Sequence, residues 1–448
     1  MTMGAPTRPC AVVVGGGPIG LTAAHIFSQA GIDFVVLEAR DTVLPEVGAS
    51  MNLYPGTMRV LHQLGLGEAA EAVSAKIVRA FFVDWDGQLY KKGHPGPVFD
   101  EIHGCHPLAF HRLDVLRVLY NNLEPGDQKR VLTNKQVVDI QTTPEGVTAL
   151  CADGSKYEGT FVLGVDGVNG KTRDFMRALA LQQSPDAQVN PEKPFTAYYR
   201  VMFGTIPIPP GMGVGENHDC HGAKYSTMLI TGSQGRAWFF LYEELDAPTQ
   251  ERVRYTEKDM EELAARCRDM HVSQELTFGD IWPTVVKAGM TNLDEGMLEH
   301  WSGDRIVVAG DAAHKITPNI GWGYFAGVQD VIALTNLLQA SLSQGSTGTL
   351  TGEELAKIFR QYEATRKPEM ATVLNLSASA TRQSAWPRTW SGLFYRFMEW
   401  VSTVPGFEYF TIKYIASPVQ SNALVLDFLS CEEPYHGLVP WKYPTARA

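Results

Sequence analysis

Residues 11–20 read AVVVGGGPIG, and this stretch decides the fold. An apolar run ends in three consecutive glycines, and a helical pattern of apolar residues then extends from Leu21 to Gly31. A second apolar run, residues 34–37, leads into Glu38. A strand, a glycine turn, a helix and a second strand within about 30 residues predict a βαβ unit with parallel strands.

The glycine turn has the spacing Gly15-x-Gly17-x-x-Gly20. The first glycine permits a tight turn, the second lets a pyrophosphate approach the backbone, and the third allows close helix–sheet packing. The following helix N-terminus attracts phosphate. Glu38 lies 18 residues beyond Gly20, where a carboxylate accepts hydrogen bonds from ribose hydroxyls and disfavours a 2′-phosphate. The turn therefore predicts a site for FAD or NAD; the alternative is a glycine-rich turn without a ligand.

Length and composition indicate a globular protein with a sizeable core. The 448 residues correspond to two or three domains at roughly 100–200 residues each. Apolar residues make up 44% and charged residues 19%, which argues against disorder. The formal net charge of −11, without basic blocks, makes nucleic acid and anionic membranes poor candidate partners.

Cysteine spacing and hydropathy point to a cytoplasmic protein. None of the six cysteines forms a CxxC pair, so we expect reduced thiols and no zinc ribbon. We find no signal peptide in the first residues. The apolar stretch from Leu393 to Ile415 is interrupted by charged residues and by Pro405, so we expect no transmembrane helix.

Changes in pattern along the chain suggest four segments. Prolines cluster between residues 185 and 210, and strand-like runs follow them. The chain returns to a buried strand just before Gly310, which suggests that a sheet is inserted between two nucleotide-binding parts. We predict an α/β fold with binding-domain parts at residues 1–183 (including minor sheet insertions) and 301–350, a substrate-binding sheet domain at 184–300, and a C-terminal helical region at 351–448.

Two further motifs follow strands. Asp311 ends a buried strand and is placed to take a ligand hydroxyl. The glycines that follow it let backbone amides line a flat ligand, and a helix beginning near Gly323 directs its positive end toward that ligand. Asp166-Gly167 also follows a strand, and taken alone it predicts only a turn.

These three stretches, in this order and spacing, resemble the single-component (class A) flavoprotein monooxygenases, the group that includes 4-hydroxybenzoate hydroxylase. The resemblance covers most of residues 10–340. It implies a Rossmann-like FAD-binding domain with an inserted mixed or antiparallel sheet substrate domain and a C-terminal helical region. It also implies FAD as cofactor, NAD(P)H as co-substrate and O₂ as oxidant. By position, the cofactor-binding roles fall to Gly15, Gly17, Gly20, Glu38, Arg40, Arg112, Asp166, Asp311, Pro318, Gly321 and Gly323.

Shorter stretches are similar to fungal natural-product members of that family, the paxilline-type epoxidases and meroterpenoid monooxygenases. The resemblance implies that a C4a-hydroperoxyflavin delivers oxygen to an electron-rich double bond. That bond is either an indole 2,3-bond, with rearrangement to a spiro-oxindole, or a terpenoid olefin. Phe325 departs from the pattern, since many relatives carry Asn there. The similar stretches are Pro45–Ser50, Leu53-x-Pro55-Gly56, Leu61-x-x-Leu64-Gly65 and residues 314–319.

The candidate catalytic residues Arg200 and Glu46 and the candidate substrate-binding residues Tyr198, Trp322 and Tyr324 come from a strand and from two loops. Tyr198 and Arg200 alternate on a strand and so share a face, where Arg200 would bind the epoxide oxygen; the alternative is an ion-paired surface arginine. Glu46 is a candidate anchor for a substrate nitrogen or for the flavin, the alternative being a solvated loop carboxylate. Trp322 and Tyr324 are candidate substrate contacts at the flavin face, or core residues.

The expected partners are therefore a small hydrophobic polycyclic substrate and O₂, with no metal site. An aromatic or phenol hydroxylase is the nearest alternative function. An FAD oxidase or dehydrogenase would share the fold, and its substrate would reduce the flavin directly. A flavin-free binding protein of the Rab dissociation-inhibitor type would also share the N-terminal fold, although the intact Gly310-Asp311 motif argues against it. Fold alone does not separate these functions.

Overall fold

The architecture is taken from a computed structural model, which describes residues 9–46, 50–344 and 350–445. The strands within these residues are β1 (Cys10–Val14), β2 (Asp33–Leu37), β3 (Ser50–Leu53), β4 (Ala75–Lys76), β5 (Arg79–Val83), β6 (Leu89–Gly93), β7 (Leu108–His111), β8 (Val131–Leu132), β9 (Val137–Thr142), β10 (Val147–Cys151), β11 (Lys156–Gly159), β12 (Phe161–Gly164), β13 (Thr196–Pro207), β14 (Glu216–Ala223), β15 (Tyr225–Thr231), β16 (Arg236–Thr249), β17 (Lys287–Met297), β18 (Ser302–Gly303), β19 (Ile306–Val308), β20 (His314–Lys315) and β21 (Ala385–Trp386).

The helices of the same residues are α1 (Pro18–Ala30), α2 (Pro55–Gln63), α3 (Gly67–Val73), α4 (Pro95–His103), α5 (Arg112–Asn121), α6 (Pro125–Gln128), α7 (Thr172–Gln183), α8 (Glu257–Arg266), α9 (Phe278–Ile281), α10 (Gly323–Gln344), α11 (Gly352–Ser384), α12 (Trp390–Ser402), α13 (Phe407–Thr411) and α14 (Ser417–Ser421). Short 3₁₀ turns cover Gly310–Ala312 and Pro318–Ile320, and a π-helical turn covers Ile412–Ala416.

The first sheet has the order β18-β19-β12-β1-β2-β8, and only β18 runs antiparallel to its neighbour. Its central strands are fully buried apolar runs, as expected for parallel strands covered on both faces. The carboxyl ends of β1, β12 and β19 lie side by side at one edge of this sheet. All three predicted motifs follow these strands, so the fold brings them together at the edge where open α/β sheets bind ligands.

The second large sheet has the order β20-β17-β13-β16-β15-β14-β5-β6, with β21 beside β14. Cross-strand partners share a face of an antiparallel pair. Asp219 on β14 pairs with Met228 on β15, which pairs with Phe240 on β16, and Tyr242 is two residues further along β16. We call the face that carries these four side chains the front face.

The opposite face, the back face, is covered by α8 and α9. Met202 of β13 and Leu241 of β16 pack there against Leu263 of α8 in a separate apolar cluster. A Thr–Asp capping box starts each of these two helices, at Thr256 and at Thr277. The back face is therefore closed by its own helices, and the front face is left to meet the first sheet.

The predicted α/β architecture is confirmed, with strand contributions from beyond the predicted sheet segment. The long central strands β13 to β17 lie within residues 184–300, whereas the edge strands β5, β6, β20 and β21 come from outside that segment. Strands as short as β20 and β21, of two residues each, carry too little periodicity to be assigned from sequence.

The C-terminal region is helical as predicted. The 33-residue helix α11 buries one side, including Phe359, Tyr362 and Met370, and contacts α10. In the part of the chain that the structure describes, no helix is both long and apolar enough to cross a membrane.

Candidate functional site

The turn after β1 has the backbone geometry that its three glycines predict. Gly15 has φ of 112°, and a Cβ there would lie 2.7 Å from the carbonyl oxygen of Val165. A Cβ on Gly20 would lie 1.9 Å from the oxygen of Gly15, so α1 packs directly on the turn. A Cβ on Gly17 would meet no atom within 4 Å. The turn is therefore closed on the protein side and open at Gly17, where a phosphate would approach.

Glu38 holds this turn from the end of β2. Its Oε2 accepts a hydrogen bond of 2.8 Å from the amide of Gly16, and its Oε1 accepts one of 3.0 Å from the amide of Arg40. The side chain is buried. Each carboxylate oxygen retains acceptor capacity, which suits it to bind the hydroxyls of a ribose.

Arg112 lies beside the same edge, at the start of α5. Burial lowers the pKa of Arg112, the neighbouring charge of Arg40 lowers it further, and the carboxylates of Asp311 and Glu38 raise it. Neither arginine side chain has a hydrogen bond or an ion pair with any residue that the structure describes. Arg112 is half-buried and Arg40 is exposed, and two neighbouring guanidinium groups repel each other unless an anion lies between them, so the pair suits a pyrophosphate.

One carboxylate oxygen of Asp166 accepts hydrogen bonds within the fold, and the other has no partner among the described residues. Its Oδ2 accepts hydrogen bonds of 2.9 Å from both the amide and the hydroxyl of Thr172, at the start of α7. Its Oδ1 is buried and meets no donor within the described residues. Burial raises the pKa of Asp166. A Cβ on Gly170 would lie 2.1 Å from the Asp166 Cγ, so glycine is needed there. The sequence predicted a turn here, and the structure adds a buried acceptor that a ligand hydroxyl would satisfy.

The Gly310-Asp311 turn is anchored by a buried carboxylate further along the chain. Asp330 on α10 accepts hydrogen bonds from the amide of Gly310 and from the side chains of His314 and Arg366, at 2.9, 2.6 and 2.9 Å. Asp311 is half-exposed, and its Oδ2 lies 2.5 Å from the Lys315 ammonium. Asp330 thus fixes the backbone and leaves Asp311 accessible to a ligand.

The loop Pro318–Gly323 is braced from behind by α11. The hydroxyls of Thr317 and Ser377 lie 2.6 Å apart, and the hydroxyl of Thr381 lies 2.7 Å from both the Thr317 hydroxyl and the Asn319 Oδ1. The loop ends at the N-terminus of the 22-residue helix α10. A fixed backbone beside a helix N-terminus suits a flat, partly anionic ring.

The open side of this loop faces a cluster of unsatisfied polar groups on the front face. Asp219 Oδ2 accepts a hydrogen bond of 2.8 Å from Asn217, but Asp219 Oδ1 and the Tyr242 hydroxyl are buried without partners among the described residues. Burial raises the pKa of Asp219 to about 6. Burial and the nearby charge of Asp219 raise the pKa of Tyr54 to about 12 and also raise that of Tyr242. Asp219 therefore faces both tyrosines.

Tyr54 joins this cluster to the loop. Its ring centroid lies 6.0 Å from that of Trp322, and a Cβ on Gly321 would lie 3.5 Å from its Cε2. We call the region where the front face meets Tyr54 and the Pro318–Gly323 loop the chamber. The apolar cluster on the front face there includes Tyr199, Val201, Met228, Phe240 and Leu293. A chamber with a mostly apolar wall and a few convergent polar groups is typical of a small-molecule site.

Two of the predicted substrate residues lie elsewhere. The Arg200 side chain points to the back face, where its Nη2 lies 2.6 Å from the Glu243 carboxylate, beside Arg266 of α8. Tyr324 donates or accepts a 2.7 Å hydrogen bond with Thr22 of α1, in the core between α1 and α10. Neither side chain is brought to the chamber, and the ion-pair and core alternatives describe them.

The other two predicted substrate residues, Trp322 and Tyr198, lie at different distances from the chamber. Trp322 is buried beside Tyr54, and its indole nitrogen has no partner in the described residues. Tyr198 is 39% exposed, and the Arg382 guanidinium lies 5.0 Å from its ring centroid. Trp322 therefore borders the chamber, whereas Tyr198 lies at its periphery.

Glu46 lies in a different cavity, of about 300 Å³, together with Thr205, Arg236 and Lys287. Its Oε1 is 3.2 Å from Nε2 of His111, whose Nδ1 accepts a hydrogen bond from the Trp238 indole. Because an indole only donates, the imidazole proton is fixed on Nε2 and directed at Glu46. The next residues of the similar stretch, Val47, Gly48 and Ala49, lie outside the described residues.

Sequence reasoning missed Asp219, Tyr242 and Tyr54. A signal was present for Asp219, because five of the eight residues of its largely buried strand are polar or charged, namely Glu216, Asn217, His218, Asp219 and His221. Polar side chains in a buried strand need partners in the interior and therefore indicate a candidate site. Tyr242 and Tyr54 look like ordinary aromatic core residues and carry no such signal.

The whole site fits FAD. The open backbone at Gly17, the unpartnered arginine pair, the free oxygen of Asp166 and the open turn at Gly323 follow one another along the edge of the first sheet. Each offers what one part of a flavin dinucleotide needs: room for phosphate, positive charge, and acceptors for hydroxyls.

Comparison with known proteins agrees with this assignment. Residues 9–377 match the family described as FAD binding domain. The FAD-dependent monooxygenase ausM of Penicillium brasilianum is 33% identical over 359 residues, which are 79% of this chain and 75% of that protein. The FAD-dependent monooxygenase atmM of Aspergillus flavus is 33% identical, and the match covers 79% of this chain and 74% of that protein. The monooxygenase verC1 of Penicillium polonicum is 30% identical, but the chain spans only 47% of its length.

Solved structures show the same fold. Klebsiella pneumoniae HpxO, complexed with FAD and uric acid, superposes with a TM-score of 0.70 at 20% identity, covering 92% of this chain and 96% of that one. CtdE, complexed with FAD and a substrate, superposes with a TM-score of 0.68 at 16% identity, covering 92% of this chain and 100% of that one. The chain belongs to the FAD-binding-domain family of flavoprotein monooxygenases, and its cofactor is FAD.

Proposed function

We propose that this protein is an NAD(P)H-dependent monooxygenase of fungal secondary metabolism. Its substrate is a hydrophobic polycyclic compound, and one atom of O₂ is added to an electron-rich double bond. Family membership and the fungal relatives support the class of reaction. The observation that carries the substrate class is the chamber, an apolar and aromatic wall that contains the unsatisfied Asp219 and Tyr242 opposite the flavin loop.

Different residues of the site would bind different parts of FAD. The turn at Gly17 and the arginines Arg40 and Arg112 would bind the pyrophosphate, and Glu38 the adenosine ribose. Asp311 would bind the ribityl chain, and the Pro318–Gly323 loop would lie along the ring. Bound FAD supplies the redox chemistry that activates O₂, which no amino-acid side chain provides.

The chamber's own residues exclude water and orient the substrate. Met228 and Phe240 present apolar surface that displaces water from the reacting bond. Asp219 Oδ1 would accept a hydrogen bond from an N–H or O–H at one end of the substrate, and the Tyr242 hydroxyl would bind an oxygen or nitrogen beside it. A single charge-assisted hydrogen bond in a dry wall fixes orientation, because leaving either partner unpaired is costly. We therefore propose a polycyclic substrate with one hydrogen-bond donor remote from the oxidised bond.

Isotope labelling tests this function. The purified protein with FAD and NADPH is incubated under ¹⁸O₂ with a panel of prenylated indoles, polycyclic terpenoids and phenols. We expect one labelled oxygen in a product from a substrate with an alkene or indole 2,3-bond, and dependence on NADPH. Labelled oxygen only on phenol rings would identify an aromatic hydroxylase. Flavin reduction by a substrate without NADPH would identify an oxidase or dehydrogenase and contradict the proposal.

A further inference from the structure

Helix α12 exposes a continuous stripe of large apolar side chains. Trp390 is 88% exposed and Trp400 is 65% exposed. At 3.6 residues per turn, the exposed apolar residues fall within an arc of about 120°. The stripe consists of Trp390, Leu393, Phe394, Phe397 and Trp400. Soluble monomers rarely expose contiguous apolar surface of this size unless it binds something.

The opposite side of α12 is polar and faces the protein. Glu399 is buried, accepts a hydrogen bond from the Tyr90 hydroxyl, and lies 2.7 Å from Nδ1 of His221. Ser402 is buried on the same side. A helix on the surface of a soluble protein has the reverse arrangement, with its apolar side inward. The stripe therefore needs an apolar environment outside the protein.

The next helical segment extends the exposed apolar surface. Helix α13 and the π-helical turn follow α12 after a short connection and contact it. Phe410, Tyr414 and Ile415 are each at least 40% exposed there, and the rings of Phe410 and Tyr414 lie 5.2 Å apart. Together with the stripe, these side chains form what we call the aromatic surface.

The charges around the aromatic surface are sorted by sign. Residues 390–421 contain two acids and two bases. Glu399 is buried, as described, and Glu408 is half-buried and accepts a hydrogen bond from the backbone amide of His94 at 2.9 Å. Arg396 and Lys413 have no carboxylate partner in the described part of the chain; their charged groups lie over aromatic rings. The exposed side is thus aromatic and cationic, although the whole chain carries a net charge of −11.

We propose that the aromatic surface docks on an anionic phospholipid bilayer, with α12 and α13 lying in the interface. Tryptophan and tyrosine favour the headgroup level, apolar side chains enter the acyl boundary, and lysine and arginine pair with lipid phosphate. The net acidic composition argued against an anionic membrane, but it averages over the whole chain, whereas in this region Arg396 is exposed without a described carboxylate partner and Glu399 is buried. Glu399 contacts His221, two residues from Asp219 on β14, so the docked side adjoins the chamber. This last point rests on the proposed function, and it suits a lipophilic substrate taken from the bilayer.

Vesicle flotation of the FAD-loaded full chain tests the docking. The probes are phosphatidylcholine vesicles and vesicles with about 30% phosphatidylserine, so that charge is varied alone. We expect the protein to float with the anionic vesicles and the variant W390S/F394S/W400S to bind them at least about tenfold more weakly. A matched control, V214S/V253S/V286S, changes exposed apolar residues elsewhere and should bind like the wild type. Equal FAD content and tryptophan circular dichroism would show that both variants are folded.

Two results would overturn the docking. In the first, the wild type remains unbound with both vesicle types. In the second, light scattering shows that the wild type is a dimer and the triple variant a monomer, which would assign the aromatic surface to self-association. Quenching of wild-type tryptophan fluorescence by doxyl-labelled lipid gives a second measurement that needs no variant. Neither assay requires turnover, so failure of the docking and failure of the proposed monooxygenase function are distinguishable.

Discussion

At the scale of single residues, the site depends on groups that the protein itself leaves unsatisfied. Asp219 has a buried oxygen with no donor among the described residues, and Arg112 is a half-buried guanidinium without a described hydrogen-bond or ion-pair partner. Such groups cost free energy in the folded protein unless a ligand completes them. Both lie toward the proposed ligands, one at the substrate and one at the pyrophosphate.

The burial of Asp219 predicts a pH-dependent stability. Burial raises its pKa from the ordinary aspartate value of 3.8 to about 6, so the folded state favours the protonated form. Its contribution to stability is full below pH 3.8 and is lost as the pH rises through 6. The variant D219N stays neutral, so between pH 4 and 7 it should gain about 3 kcal/mol relative to the wild type. Urea denaturation at several pH values measures this difference in unfolding free energy. For the exposed control D269N, the difference from the wild type should be the same at every pH.

The same residue predicts a change in substrate binding. Below about pH 6 the carboxyl of Asp219 becomes protonated and no longer offers a charged acceptor, so KM should rise as the pH falls. D219N should raise KM about tenfold or more at about pH 7.5 and remove this pH dependence. Steady-state kinetics with the substrate identified by labelling measures both. A KM that follows the wild-type pH profile in D219N would exclude Asp219 from the chamber's binding role.

Arg112 predicts opposite effects on the apoprotein and on FAD binding. R112A should weaken FAD binding about 10- to 100-fold, because a charge-assisted contact to phosphate is lost. The melting temperature of the apoprotein should not fall, since a dehydrated cation beside Arg40 is removed. Flavin fluorescence titration and thermal melts measure the two effects. The control R117A changes an exposed arginine of the same helix; FAD binding equally affected in both variants would contradict the assignment.

At the scale of elements, α11 acts as a brace for the flavin loop. The Thr381 hydroxyl contacts both Thr317 and the Asn319 Oδ1, so T381V leaves the Asn319 oxygen without this donor, whereas Thr317 keeps its contacts with Ser377. We expect a loss of about 1–3 kcal/mol in stability and weaker FAD binding. The control T372V removes an exposed hydroxyl from the same helix and should change neither. Urea denaturation of both variants decides this, and an unchanged T381V would mean that the loop is fixed by other contacts.

The back face of the second sheet stabilises the fold, whereas the front face carries the proposed substrate-binding residues. Arg200 is ion-paired with the buried Glu243 on the back face. R200M should lower stability by about 1–3 kcal/mol, because the buried Glu243 loses its shortest ion pair and keeps Lys224, Arg266 and the Tyr225 hydroxyl as partners. It should leave kcat/KM within about twofold, since the side chain does not reach the chamber. A large loss of kcat/KM at unchanged stability would return Arg200 to the active site.

Strand alternation could not predict these faces. Simple alternation predicts that Tyr198 and Arg200 point together, but a bulge between Ala197 and Tyr199 interrupts it. A bulge adds one residue to one strand and leaves no clear mark in the hydropathy pattern. Even perfect alternation gives two faces without stating which one meets the flavin, and that is why the sequence favours Arg200 over Asp219.

At the scale of the whole molecule, the cofactor half of the site was predictable because it is local. Each glycine or aspartate turn directly follows a buried strand of one parallel sheet, so strand order alone brings Gly17, Asp166 and Asp311 to the same edge. The chamber is different, since Asp219, Tyr54 and Trp322 come from three distant segments. Their meeting depends on how the second sheet crosses the first, which no local pattern records.

We propose that the arrangement of the two sheets brings cofactor and substrate together. The first sheet would hold the dinucleotide at its carboxyl edge, the front face of the second would face the Pro318–Gly323 loop, and α11 contacts both that loop and β14. The central claim is that one FAD lies across all three turns, with its ring between that loop and the front face. A crystal structure of the protein grown with FAD tests this claim most directly. We predict pyrophosphate oxygens within hydrogen-bond distance of Arg112 and the ring along Gly321–Gly323, facing Asp219 and Tyr242. A flavin bound with its ring away from the front face, or a chamber filled by side chains, would contradict the account.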